Sequence, residues 1–268
     1  MLGGSKSIKG GIGAGFSDWL AVAQERNDAE GGGVRLYGHP DTRTSRSLWM
    51  ACELEGLDCG LHAKQIAVFR FNEETDKINP NRRMPFLDDN GTAVFESMAI
   101  NLYLARKYGK DTPLAPKDWK EEAEFMKWSF WAMTELDMTV WELVLCGPAR
   151  IDPDHPWYTH PVVRNPNKQG KDGMTGEERY FEWFTHPRSA MRERKLAKSF
   201  RRSISALEQH LAAGRQYLVG DRFTAADINV CSVLAWARHL GWSAFDEFPL
   251  TRAYLQRASG SHAHPGLL

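Results

Sequence analysis

Asn79-Pro-Asn-Arg-Arg-Met-Pro85-Phe-Leu-Asp-Asp-Asn-Gly-Thr-Ala-Val-Phe95-Glu-Ser-Met-Ala-Ile100 is the stretch from which the fold is read. Asn79-Pro80 opens a turn. Phe86-Leu87 and Thr92 to Phe95 read as two brief strands around Asp89-Asn90-Gly91, and an Asn-Gly pair between apolar runs is a strong hairpin signal. From Ser97 the period changes. Ile100, Leu104 and Tyr108 recur every fourth residue, which gives a helix over Ser97 to Tyr108.

Working upstream, Val34-Arg-Leu-Tyr37 reads as a short strand and Gly38-His39-Pro40-Asp41 as a breaker cluster. Thr42 then caps a helix running to about Leu57. His62 to Val68 is a second strand, followed by the polar segment Asn72 to Ile78. The order β-α-β-α-β-β-α is the thioredoxin-like arrangement, an α/β domain over residues 34–110. Residues 1–33 hold 9 of the 23 glycines and read as a flexible extension, with one docked turn of helix at the amphipathic patch Phe16 to Ala23. Downstream, Asp111 to Asp118 is a linker, and residues 119–268 form an all-helical domain. Lys120 to Cys146 is a long aromatic helix carrying Trp128, Trp131 and Trp141. Residues 147–187 form an insertion without a clean period. Leu196, Phe200, Ile204, Leu207 and Leu211 make a core-facing stripe within Ser189 to Ala213. Thr224 to Leu240 and Phe248 to Ala258 are the last helices.

The chain of 268 residues balances 34 Lys and Arg against 34 Asp and Glu, which argues against a dedicated nucleic-acid binder. No apolar run approaches the roughly 18 residues needed to cross a bilayer, and no signal peptide is legible, so no membrane association and a cytoplasmic location are expected. Cys52, Cys59, Cys146 and Cys231 form no C-x-x-C pair, so they read as reduced, mostly buried thiols. The histidines and carboxylates show no metal-ligand spacing, and no metal site is expected.

Three features in order resemble the cytosolic glutathione transferase family, with an opening like its phi and theta branches. They are Leu36-Tyr-Gly-His-Pro40 leading through Thr42 and Ser45-Arg46 into a helix; the quoted stretch with Met84-Pro85 and Glu96-Ser97; and Val219-Gly-Asp-Arg-Phe-Thr224-Ala-Ala-Asp227-Ile228. The resemblance implies a thioredoxin-like domain followed by an all-helical one, paired as a homodimer. It implies glutathione as co-substrate, no further cofactor, and transfer of the thiolate to an electrophilic, largely apolar small molecule in detoxification. Met84-Pro85 matches the family's cis-proline, where the backbone of position 84 pairs with the cysteinyl backbone of glutathione. Ser97 would donate to the γ-glutamyl carboxylate at a helix start, and Glu96 would accept from the ammonium. Arg83 and Arg70 are candidates for the glutathione carboxylates.

Thr42 falls where relatives place a catalytic Ser, and Ser45 is its rival for the sulfur. Only the thiolate attacks well, and a free thiol has a pKa of about 8.5. A hydroxyl bond to a charged acceptor contributes about 1.5–3 kcal/mol, enough to lower that by roughly 1–2 units without a general base. The alternative for Thr42 is a helix cap alone. Thr224-x-x-Asp227 reads as a structural capping box. Two other readings of the chain stand beside conjugation. One is a specialised glutathione-dependent dehalogenase or ether-cleaving enzyme, which the insertion favours. The other is a non-catalytic ligand-binding or interaction protein, which Thr at the catalytic position favours.

Overall fold

The computed structural model describes residues 33–61, 63–66, 71–146, 190–239 and 243–260. The expected extension over 1–33 and the insertion over 147–187 lie almost entirely outside these residues, as does Arg70. The described chain divides into two compact units, the first reaching to Leu104 and the second starting at Ala105.

The first unit is built on a four-stranded mixed sheet in the order β2-β1-β3-β4. Its strands are β1 (Val34–Tyr37), β2 (Ala63–Ile66), β3 (Phe86–Asp89) and β4 (Thr92–Phe95). β1 runs parallel to β2 and antiparallel to β3, and β3 pairs antiparallel with β4. The hairpin between β3 and β4 turns on Asn90 (φ 52°) and Gly91 (φ 88°). Two successive positive φ values suit a primed turn, whose twist matches the flanking strands. Helices α1 (Ser45–Gly56), α2 (Glu73–Ile78) and α3 (Ser97–Lys107) complete the β-α-β-α-β-β-α order. Leu48, Trp49, Leu54, Leu87, Ile100 and Leu104 are all buried. The helix expected from Thr42 begins three residues later. Pro40–Thr44 coil into a wide turn broken at Thr42, whose backbone is extended (φ −119°, ψ −172°).

The second unit is helical throughout its described residues: α4 (Trp119–Trp131), α5 (Met138–Cys146), α6 (Ala190–Ala212), α7 (Ala225–His239) and α8 (Pro249–Gly260). A 3₁₀ turn at Ser243–Glu247 precedes α8. The long helix expected over Lys120 to Cys146 is divided. A π-helical turn, Ala132–Asp137, separates α4 from α5 and shifts the face that each presents. The α6 stripe is as expected, with Leu196, Phe200, Ile204, Leu207 and Leu211 all buried. Asp227 is fully enclosed and ties the start of α7 to its surroundings. It accepts from Leu218 N (3.0 Å), Thr224 N (2.7 Å), the Thr224 hydroxyl (2.9 Å) and the Tyr254 hydroxyl (2.8 Å). The reach back to Thr224 N is the expected half of a capping box; the Thr224 side chain instead donates to the carboxylate.

Candidate functional site

The register of the sheet decides which turns meet. Tyr37 at the end of β1 pairs with Phe86 at the start of β3, and Phe86 pairs with Phe95 at the end of β4. The turn after Tyr37, the Met84-Pro85 pair before Phe86 and the Glu96-Ser97 pair after Phe95 therefore emerge at one end of the sheet. Thr42, Met84, Pro85, Glu96 and Ser97 all lie in those three connections. Tyr37 does not line them as a free phenol. It is buried, stacks on Phe86 at 4.5 Å between ring centroids, and burial raises its pKa.

The Met84-Pro85 peptide bond is cis. The turn ahead of it is organised by Asn79, which is buried. Its side-chain Nδ2 donates to the Arg83 carbonyl at 2.7 Å, and its Oδ1 accepts from Asn81 N at 3.2 Å. The Met84 side chain packs against the Tyr37–Phe86 pair together with Phe71 and Ile78. Arg83 is exposed, and its neighbour Arg82 pairs with Asp76 at 3.2 Å.

Glu96 is exposed and holds a left-handed backbone (φ 72°). Its carbonyl accepts from Ile100 N at 2.9 Å, so Glu96 is the capping position and Ser97 the first residue of α3. Ser97 is 2% exposed, and its Oγ accepts from Arg46 Nη1 at 3.3 Å. The α3 start presents amide groups and the positive end of the helix at this position, which favours an anion.

Thr42 is half-buried, and its hydroxyl is saturated within its own turn. Oγ1 donates to the His39 carbonyl at 2.6 Å, accepts from Thr44 N at 3.2 Å, and lies 2.8 Å from Thr44 Oγ1. With its one hydrogen on His39, the Thr42 oxygen is the acceptor in the Thr44 contact. The extended backbone and the Thr44 amide bond give Thr42 the geometry of a helix cap. Thr44 is fully buried against Gly38. A Cβ on Gly38 would sit 2.1 Å from Thr44 Oγ1, and its φ of 144° also requires glycine. Ser45, the rival, is 4% exposed, and its Oγ is enclosed with no partner among the described residues. Thr42 is thus the more accessible of the two hydroxyls.

The thiols are set apart from this chemistry. Cys52 lies within α1, where burial and the nearby Glu55 and Glu53 push its thiol up to about 12. Burial and Asp58 raise Cys59, and Cys231 is buried with its thiol raised well above the ordinary range. Among the described residues no group of three His, Cys, Asp or Glu could hold a metal ion. No helix among them is long and apolar enough to cross a membrane.

Sequence reasoning passed over two residues. Arg46 belongs to a stripe of α1 that also holds Trp49, Met50, Glu53 and Leu54, all buried. A charge at i with apolar residues at i+3, i+4 and i+8 is a legible signal. Thr44 carried none, because its role depends on contact with Gly38 and Thr42.

Two family models match the chain: "Glutathione S-transferase, N-terminal domain" over residues 36–113 and "Glutathione S-transferase, C-terminal domain" over residues 166–261. Glutathione S-transferase D7 of Drosophila melanogaster is 39% identical over 92 residues, 33% of this chain. That match spans 40% of the length of the relative. The fold is similar to that of glutathione S-transferase unclassified 2 from Bombyx mori, with a TM-score of 0.62 and 22% identity, covering 88% of this chain and 92% of the other. It is similar also to the theta class glutathione S-transferase of Xanthomonas axonopodis pv. citri, solved with glutathione bound, with a TM-score of 0.62 and 20% identity over 84% and 92% of the two chains. The beta-etherase LigF of Sphingobium gives a TM-score of 0.62 at 22% identity, over 88% and 97%. With the N-terminal and C-terminal domain models matched in order along the sequence, the chain belongs to the glutathione S-transferase family.

Proposed function

We propose that the protein binds glutathione at the end of its sheet and transfers the thiolate to an electrophilic, largely apolar small molecule. The observation that supports this reading most is the register Tyr37–Phe86–Phe95, which gathers three connections carrying complementary chemistry. In it, the Met84 backbone pairs with the cysteinyl backbone of glutathione. Ser97 and the α3 amides hold the γ-glutamyl carboxylate, and Glu96 holds the ammonium. The Thr42 hydroxyl turns from the His39 carbonyl to the sulfur. His39 O keeps its second bond, from Thr42 N at 3.0 Å, so the swing leaves no orphaned acceptor. The thiol loses its proton to solvent, the sulfur lone pair forms the new bond to carbon, and the leaving group departs with its electron pair. Holding both reactants in one site supplies much of the acceleration. Arg83 and Arg70 remain proposed carboxylate contacts, and glutathione serves as co-substrate with no further cofactor.

A cytoplasmic detoxifying homodimer fits this reading. Trp119 (75% exposed), Met126 and Phe130 (65% exposed) lie on one stripe of α4, at spacings of seven and four, where a second copy of the chain would cover them.

The saturated Thr42 hydroxyl favours one other reading, a glutathione-binding protein without turnover. The test is incubation with glutathione and a panel containing an aryl halide, an alkyl halide and a β-aryl ether, with products identified by mass. Conjugates are expected. Glutathione binding with no product across the panel would move the protein to the non-catalytic reading. Activity confined to the alkyl halide or the ether would identify a specialised enzyme.

A further inference from the structure

We infer that Arg46 is a positioning residue for the glutathione carboxylate: its buried guanidinium makes Ser97 an outward donor and keeps positive charge behind the anion site. This rests on the γ-glutamyl placement proposed above and goes beyond it, because Arg46 itself does not touch the ligand. Arg46 is 1% exposed, and its Nη1 donates to Ser97 Oγ at 3.3 Å. One turn further along α3, Asn101 is fully buried, and its Nδ2 donates to the Arg46 carbonyl at 3.3 Å. Two bonds of opposite sense therefore tie the first turn of α1 to the first two turns of α3.

The chemistry follows from the donor inventory. A guanidinium only donates, so its bond to Ser97 occupies a lone pair on Oγ. The hydroxyl hydrogen is then turned away from Arg46 and must find an acceptor on the other side. A carboxylate at the start of α3 is that acceptor. At 3.3 Å from Ser97 Oγ, the Arg46 guanidinium places a cationic group next to that contact. The amides at the start of α3 contribute with the same sign.

The test uses two ligands: glutathione, and γ-aminobutyryl-cysteinyl-glycine, which lacks the α-carboxylate but keeps the ammonium. Both are titrated into the full-length protein, Arg46→Met, Ser97→Ala and the double variant. Arg46→Met is expected to weaken glutathione roughly five- to tenfold, about one hydrogen bond's worth, and to change the analogue less than about twofold. In the Ser97→Ala background the same change should have little further effect on glutathione. A folded Arg46→Met that binds glutathione unchanged overturns the inference, as do equal losses for both ligands or full additivity with Ser97→Ala. If Arg46→Met does not fold, the guanidinium Nε–H resonance of Arg46 in the unaltered protein decides. A shift with glutathione and none with the analogue supports the inference; no shift with glutathione overturns it. Ser97→Ala separates the two levels of the argument. Unchanged glutathione affinity there defeats the γ-glutamyl placement itself. Weakened affinity there, with none lost in Arg46→Met, defeats only the role of Arg46.

Discussion

Replacing Thr42 by Val keeps the side-chain shape and removes the hydroxyl proposed to donate to the sulfur. Its effect can be worked out from the turn. A hydroxyl donating to a thiolate contributes about 1.5–3 kcal/mol, whereas the bond it gives up, 2.6 Å to the His39 carbonyl, is worth about 0.5–1.5 kcal/mol. The net gain is about 1–1.5 kcal/mol, or roughly one pKa unit. The helix start contributes a further 0.3–1 kcal/mol, on the order of magnitude usual for such ends, and that part survives the substitution. The pKa of bound glutathione, read from thiolate absorbance against pH, should therefore rise by about one unit in Thr42→Val. The rate at neutral pH should fall roughly five- to tenfold, with little change in glutathione affinity. Thr42→Ser should retain the low pKa. The loss of the Thr44 amide bond should also lower stability by about 0.5–2 kcal/mol, whichever role is right. A thiol pKa that stays in place while stability falls would refute the catalytic role and leave Thr42 as a cap. Ser45→Ala is the control. Its enclosed Oγ predicts no shift, and a rise there would transfer the role to Ser45.

With its thiol pushed up to about 12, Cys52 should not exchange with glutathione disulfide, and intact-mass measurement should find no stoichiometric adduct; rapid modification at Cys52 or Cys59 would place the protein among thiol transferases. Glu121 is paired with Arg222 in a fork, 2.8 Å and 2.5 Å, and the hydrogen bonds from Arg222 lower its carboxyl to about 2. A lowered folded pKa contributes stability that is present above the unfolded value and is lost as pH falls toward 2. Glu121→Gln should thus cost about 1–2 kcal/mol at pH 7 after allowance for solvent screening, with the gap closing between about pH 4.5 and 2 in urea titrations. Asp227→Ala leaves the Leu218 and Thr224 amides without their acceptor and should destabilise the second unit by about 3 kcal/mol or more, with unchanged stability refuting the anchoring role.

Local chemistry explains how much was legible in the sequence. The β3–β4 hairpin was readable because Asn90 and Gly91 are residues that accept positive φ cheaply. The α6 stripe was readable because an amphipathic helix needs only its period. The first turn of α1 was only half legible: Thr42 was readable as a cap, but not the wide turn over Pro40–Thr44 that delays the regular helix to Ser45. The π turn at Ala132–Asp137 left no mark either, because an extra residue in a helical turn changes the facing of its neighbours and not their composition. At the site, the motifs named Met84, Pro85, Glu96 and Ser97, but not how Thr42 uses its hydrogen. That depends on the His39 carbonyl, a backbone group whose direction no side chain encodes. Arg46 stood in the opening motif without a role, because Ser97, to which it donates, lies 51 residues away.

Calorimetric titration of glutathione into the unaltered protein and Ser97→Ala bears most directly on the claim that glutathione sits at the end of the sheet with its γ-glutamyl carboxylate on α3. Saturable one-site binding is expected, weakened in Ser97→Ala by roughly tenfold or more, as for a lost bond to a charged group. Absence of binding to the unaltered protein, or equal affinity in the two, would contradict it.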